Sequence, residues 1–233
     1  MSDVEIFPVT SLDIRLGGYD WPFLNEARYE IDRFWRDFSA RTSQAYDGRV
    51  LLLHAQAWRD GHLEARAFET AYSAFIAWKS LGFPGAGVCN FFGMAALRAS
   101  DGAFLLGEMS SWTAHSGQSY FPAGTPEPAD CRNGVVDLES SVLRECAEET
   151  GLLATEIDDR ATWVAVRQNA QLALMRDMRV RFPADDARAL IQARIALQDR
   201  QELARIHIVR RPDDTHGLTM PDYMQPFLDN ALA

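Results

Sequence analysis

Apolar positions near the start of the chain repeat with a helical period. From Glu26 to Phe38, Ala27, Ile31, Phe34, Trp35 and Phe38 share one face, with Arg28, Asp32, Arg36 and Asp37 largely between them, which predicts an amphipathic helix. Two apolar runs follow, Arg49 to Trp58 and Leu63 to Phe68, separated by Arg59-Asp60-Gly61-His62. An Asp-Gly pair between such runs is a hairpin signal, because both residues tolerate the positive φ of a tight turn. A second helix is expected from about Thr70 to Ser80, stopped by Gly82 and Pro84. Phe83-Pro84-Gly85-Ala86-Gly87 reads as a linker, which divides the chain into an N-terminal α+β unit, 1–85, and a second unit, 86–233.

Past that linker, Asn90 to Arg98 and Ala103 to Met109 flank Asp101-Gly102 and predict another hairpin. Ser110 to Asn133 is polar and proline-rich, and Pro122, Pro126 and Pro128 exclude regular helix there. A helix from Asp137 to Thr150 has an acidic N-cap in Asp137, Glu139 in its first turn where the dipole favours negative charge, and Gly151 as C-cap. Strands are expected at Trp163 to Arg167, Leu172 to Phe182 and Ile206 to Val209, with a helix from Asp185 to about Leu197. From Arg210 onward the pattern assigns no element.

With 233 residues and 47% hydrophobic content the chain can bury a sizeable core. Its net charge of −10 argues against a nucleic-acid partner, since that affinity comes from basic side chains neutralising phosphates. Lys79 is the one lysine, and arginine supplies every other fixed cation. Cys89, Cys131 and Cys146 lie far apart with no C-x-x-C pairing, so buried, inert thiols are expected rather than disulfides or a zinc ribbon. The five histidines, His54, His62, His115, His207 and His216, show no metal-ligand spacing. The N-terminal stretch MSDVEIFPVTSLD lacks a leader pattern and no run approaches the roughly 18 apolar residues of a membrane span, so no membrane and a reducing cytoplasm are the expectation.

The chemistry resides in Arg144-Glu145-Cys146-Ala147-Glu148-Glu149-Thr150-Gly151-Leu152. On a helix, Glu145, Glu148 and Glu149 stand at i, i+3 and i+4, so their carboxylates leave one face. Three crowded anions repel one another unless a divalent cation neutralises them, and oxygen ligands suit Mg²⁺ or Mn²⁺. Arg144 has Glu148 as its i+4 partner and can orient that carboxylate. A solvated acidic helix face is the plainer alternative.

This run resembles the C-terminal half of the Nudix hydrolase box, G-x5-E-x7-R-E-U-x-E-E-x-G-U, in every fixed position, with Cys146 and Leu152 in the apolar places. The first half departs from it: the box glutamate falls on Val136 and the leading glycine on Asp130, so Gly124, ahead of a longer loop, is the candidate glycine. Over most of its length the chain is similar to the animal and plant Nudix proteins that split UDP-sugars into UMP and a sugar 1-phosphate. Pro122 to Pro128 matches their P-x-G-x-P-E-P loop and Leu138 to Glu145 their L-x-S-S-V-L-x-E helix, while Tyr46-Asp47-Gly48 and the hairpin and helix after it are comparable with their N-terminal region.

The resemblance implies an α/β Nudix fold, a mixed β-sheet sandwiched between helices, here with an N-terminal α+β extension that shapes the pocket. It implies hydrolysis of the diphosphate of a nucleoside diphosphate derivative, with Glu145, Glu148 and Glu149 holding Mg²⁺ or Mn²⁺ and Glu145, Glu148, Arg144 and Glu202 in catalytic roles. Glu148 is a ligand or the base, and Glu202 is either a further catalytic carboxylate or part of a solvated helix end. Gly124 and Phe121 are the candidate substrate contacts, and Tyr120 and Trp112 are aromatic alternatives to set against ordinary core packing. Besides a UDP-sugar, the reading leaves open ADP-ribose, a dinucleotide or coenzyme A, and a nucleotide-sensing module without turnover. The expected partners are a small-molecule nucleotide and, at most, a second copy of the chain in a homodimer.

Overall fold

A computed structural model describes residues 4–42 and 45–233. Met1 to Asp3, at the start of the stretch read for a leader, lie outside it. The first strands are β1 (Glu5–Val9) and β2 (Ser11–Leu16), followed by helices α1 (Phe23–Glu26) and α2 (Arg28–Arg41). Strands β3 (Arg49–Arg59) and β4 (His62–Ala71) form the expected hairpin, with Asp60 and Gly61 at φ 50° and 79°, and α3 (Tyr72–Ser80) follows. The helix read at Glu26 to Phe38 therefore starts two residues later and runs three further, within the fraying expected of helix ends.

Next come β5 (Asn90–Arg98), β6 (Phe104–Met109), β7 (Ser119–Tyr120), β8 (Ala123–Gly124), β9 (Cys131–Arg132) and β10 (Val135–Val136). Helix α4 (Leu138–Thr150) leads to β11 (Ile157–Gln168), β12 (Gln171–Val180), α5 (Ala184–Ile195), β13 (Leu203–Val209) and α6 (Met224–Ala231). The main sheet is mixed and runs β1-β11-β12-β5-β6-β13, with β8 on β5 and β7 on β6; the second runs β3-β4-β2-β10-β9. The α/β class with a mixed sheet between helices is thus the architecture found. Alternate residues of β5 feed opposite faces: Phe91, Ala95 and Leu97 join the core containing Val142 and Cys146 of α4 and Ile191 of α5, while Phe92, Met94 and Ala96 pack with Met224, Phe227 and Leu228 of α6.

The boundary at 85 is not an edge between two units. Strand β1 belongs to the main sheet through its antiparallel pairing with β11, and β10, from beyond the linker, pairs with β2 in the other sheet. One core joins both, with Ile14, Leu51 and Leu63 beside Phe91, Leu105 and Leu174. The linker is instead a local turn, its backbone at positive φ at Gly82, Phe83, Gly85 and Gly87. The hairpin expected from Asn90 to Met109 is also modified. β5 and β6 pair at Arg98 and Phe104 and then part, and β8 and β7 occupy the opening beside Gly93 and Gly107. That split lets the proline-rich segment enter the sheet.

Helix α6 falls where the pattern assigned nothing. Its apolar positions Met224, Phe227 and Leu228 have helical spacing, but only one short helix of them exists, too little to stand out from a polar tail. Among the described residues no helix is long and apolar enough to cross a membrane.

Candidate active site

Helix α4 forms where its caps predict. The Asp137 side chain accepts from the Ser140 backbone N–H at 3.0 Å, and Gly151 closes the helix in the left-handed conformation at φ 70°. Its inner face, Leu138, Val142 and Cys146, is buried against the main sheet. The chemistry-bearing glutamates are displaced around the helix from that face and take three different environments.

Glu149 is 4% exposed. Its Oε1 accepts from the backbone N–H of Ala123 in β8 at 3.1 Å, and its Oε2 is buried with no protein hydrogen-bond partner. Burial raises its carboxyl well above the usual carboxylate range; the Ala123 N–H opposes this, and Glu145, Glu202 and Glu148 add to it by repulsion. Glu145 is half-buried and also shifted upward, by burial first, against the pull of Arg144 and with repulsion from Glu148 and Glu202. Glu148 is exposed and bonds Arg144 at 3.0 Å.

Gly124 meets this helix directly. A Cβ built there would lie 2.5 Å from Glu145 Oε1, so only glycine allows β8 to approach the carboxylate this closely. The loop is fixed from both sides: Pro122 O accepts from Ala95 of the main sheet at 2.9 Å and Pro126 O from Leu51 of the second sheet at 2.8 Å. Asp130 braces the loop, while position 136 is a buried valine. The Asp130 carboxylate accepts from the Glu127 N–H at 3.0 Å and from Arg144 at 3.3 Å.

Arg144 is therefore shared, donating to Glu145 at 2.8 Å, Glu148 at 3.0 Å and Asp130 at 3.3 Å. The ion pair to Glu148 was legible from the i+4 spacing; those to Glu145 and Asp130 were not. Among the described residues, no three carboxylate, imidazole or thiol side chains converge as a ready-made metal cage. Arg144 holds two of the three glutamates, and the third turns inward onto Ala123. The donor set nonetheless suits a hard divalent ion: all are carboxylate oxygens, and the orphaned Oε2 of Glu149 is an atom that a cation or proton would satisfy.

Glu202 stands immediately before β13, its backbone carbonyl accepting from Ser110 N–H at 2.8 Å. It is exposed, and its negative charge adds to the upward shifts of Glu145 and Glu149. Phe121 requires correction. Its ring is fully buried between Phe104 and Phe227, with centroids 5.5 and 5.7 Å away, and serves the core rather than a substrate. Tyr120 beside it is only half-buried and lies within the influence of Glu149, Glu202 and Tyr72. Trp112 donates its indole N–H to Gln201 O at 2.9 Å, at the margin of an open depression of about 820 Å³.

Cys89 and Cys146 are buried with thiols pushed up to about 12 by burial, and Cys131 is half-buried and also raised. All three are free, as expected of inert thiols.

By sequence, no known family and no curated protein matches the chain. Among solved structures, it is similar to RenU, a Nudix hydrolase from M. smegmatis, at 17% identity and TM-score 0.40, covering 59% of this chain and 81% of that one. It is similar to the MutT protein of Methanosarcina mazei Go1 at 20% identity and TM-score 0.40, covering 60% and 91%. The ORF135 protein of E. coli aligns at 17% identity and TM-score 0.35, covering 61% and 89%. Likeness at this distance carries no inference about activity, which rests on the site itself.

Proposed function

We propose that this chain is a Mg²⁺-dependent pyrophosphohydrolase of the Nudix type. Its substrate is a nucleoside diphosphate joined to a second group, with a UDP-sugar, yielding UMP and a sugar 1-phosphate, as the leading class. The observation that carries this reading is Glu149: a buried carboxylate one turn from Glu145, with an orphaned oxygen, in a helix that retains REcaEEtGL. Burying a carboxylate beside others is costly unless something neutralises it, and such sites are concentrated where chemistry is done.

Mg²⁺ would be held by Glu145 and Glu149, with Glu148 as ligand or base, and would supply charge neutralisation of the diphosphate and a lowered pKa for water. The chain's own residues provide the rest. Gly124 lets the loop lie against the Glu145 carboxylate. Ala123 N–H fixes one oxygen of Glu149 and leaves the other available. Arg144 orients Glu145 and Glu148, and must release part of that grip for them to share a cation. Glu202, exposed just ahead of β13, is suited, as an alternative to Glu148, to accept a proton from the attacking water as its oxygen bonds to phosphorus and the bond from phosphorus to the bridging oxygen breaks.

The test is turnover across a panel of UDP-sugars, ADP-ribose, dinucleotides and coenzyme A, coupled to a phosphatase, with and without Mg²⁺. Mg²⁺-dependent phosphate release that disappears in Glu149→Gln is expected. The second reading, a nucleotide sensor without turnover, is favoured by Arg144 occupying two of the glutamates. Silence across the panel, together with measurable nucleotide binding, would select it.

A further inference from the structure

The open depression beside Trp112, of about 820 Å³, has two walls. One is the end of β6 and the loop after it, from Glu108 to Gly117; the other is Asp199-Arg200-Gln201, ahead of β13. Hydrogen bonds set both walls against α4. Gln198 donates from its side-chain amide to the Glu148 carbonyl at 2.7 Å. Asp199 is the next residue, about 3.8 Å on between Cα atoms, so that wall begins within a side chain's length of the helix. The other wall continues through β7 into β8, where the Ala123 N–H donates to Glu149 at 3.1 Å. Two bonds join the walls to each other: Ser110 N–H to the Glu202 carbonyl at 2.8 Å, and the Trp112 indole N–H to the Gln201 carbonyl at 2.9 Å. The depression therefore lies in a frame fastened to two consecutive glutamates of α4.

Its lining does not suit a phosphate. Glu108 and Asp199 stand with Arg200, and Arg205 and His207 engage Glu108 at 3.3 and 2.7 Å, so the charge is balanced rather than cationic. It does suit a flat, neutral ring. Trp112 is 39% exposed, and the Arg200 guanidinium lies over it, 3.9 Å from the ring centre. A planar π-system laid on such a pair gains dispersion from the indole and attraction from the cation, and the guanidinium plane favours a delocalised ring over a saturated one. Ser111, Ser116 and Gln201, all exposed, supply donors and acceptors for the edge of that ring.

We propose that this depression is the nucleobase subsite, where the base of the nucleoside diphosphate stacks on Trp112 and Arg200 while its diphosphate reaches toward the glutamates of α4. This rests on the diphosphate reading given above. Segment 198–202 then holds both the base, through Arg200, and Glu202, a carboxylate suited to the attacking water.

UMP, AMP, GMP and CMP carry a base but no diphosphate. They are titrated calorimetrically, in Mg²⁺, into wild type, Trp112→Leu and Trp112→Phe, with inorganic pyrophosphate and glucose 1-phosphate as controls that lack a base. At least one nucleotide should bind wild type, and Trp112→Leu should weaken it about tenfold, the scale of one lost stacking contact. Trp112→Phe keeps an aromatic face and loses the bond to Gln201, and should stay within a few-fold of wild type. Both controls should behave alike in all three proteins. In turnover, Trp112→Leu should raise KM more than it lowers kcat.

Binding of no nucleotide by wild type overturns the proposal, as does equal binding by Trp112→Leu. A loss in Trp112→Phe as large as in Trp112→Leu also overturns it, because the indole is then only a tether between segment 198–202 and the loop after β6. A loss confined to glucose 1-phosphate gives the depression to the sugar instead, and a matching loss of pyrophosphate means that the whole site is disturbed; either result overturns the base assignment. Turnover with nucleotide binding indifferent to Trp112 sinks this inference alone. A silent substrate panel with binding weakened in Trp112→Leu sinks the turnover reading and leaves the base subsite standing.

Discussion

Two arginine and carboxylate groups flank α4, and they behave in opposite ways. Arg194 of α5 grips Glu156 with both nitrogens, at 2.5 and 2.8 Å, and also donates to the carbonyl of the Gly151 cap at 3.0 Å. One cation meets one anion, and the hydrogen bonds from Arg194 hold the Glu156 carboxyl below its ordinary value. Arg144 is spread over Asp130, Glu145 and Glu148 while Glu149, among the described residues, has no cation of its own, and both Glu145 and Glu149 are raised. The first group is balanced and closes a helix end. The second concentrates more negative charge than its arginine can neutralise, which is tolerable in a folded protein when a cation completes it.

Glu149→Gln should separate the two groups most sharply. Turnover is expected to fall by about a hundredfold or more, with Mg²⁺ ceasing to raise the melting temperature as it does for wild type. The metal-free variant should also be more stable than wild type at neutral pH. The sign follows from the raised carboxyl: the folded state holds its proton more tightly than the unfolded one, so wild type loses stability as pH rises from the ordinary value of 4.5 through the folded value. Thermal melts in chelator from pH 4 upward should show the advantage of the variant growing with pH; an unchanging difference would contradict the burial of this carboxylate.

Gly124→Ala comes next. Its methyl must displace the Glu145 carboxylate, and about tenfold weaker Mg²⁺ binding is expected with the fold intact, on the scale of losing one charge-assisted contact. Calorimetric titration with Mg²⁺ reads this; unchanged affinity would mean that Glu145 is free to move and its position on Gly124 is incidental.

The smallest effect belongs to the balanced pair. Glu156→Gln should cost about 1 kcal/mol or less at pH 7, given how strongly solvent screens such a pair, and should leave turnover unchanged. A lowered carboxyl contributes stability above its ordinary value of 4.5 and loses it as pH falls through the folded value, so melts of wild type and variant should converge in acid. A drop in turnover would show that the two groups are coupled through the helix.

Much of the helix chemistry was legible because it is local. Asp137, Gly151 and the pairing of Arg144 with Glu148 depend on residues within four positions of one another, which spacing alone specifies. The Asp60-Gly61 hairpin is legible for the same reason. Features whose partner is distant are not legible in this way. Phe121 and Tyr120 are adjacent in sequence, and only tertiary packing decides which one is fully buried. Asp130 carries no motif, and its bond to Arg144 depends on a loop pinned to both sheets. Trp112 and Gln201 are 89 residues apart and belong to no recognisable pattern.

From the amino-acid order alone came the helix, its caps and the register of its three glutamates, since backbone geometry over a few residues fixes all of these. Tertiary structure alone decided that Glu149 is buried while Glu148 is exposed, and that β1 crosses into the main sheet. Burial and long-range charge depend on what the rest of the chain packs against a side chain, and no local spacing encodes that.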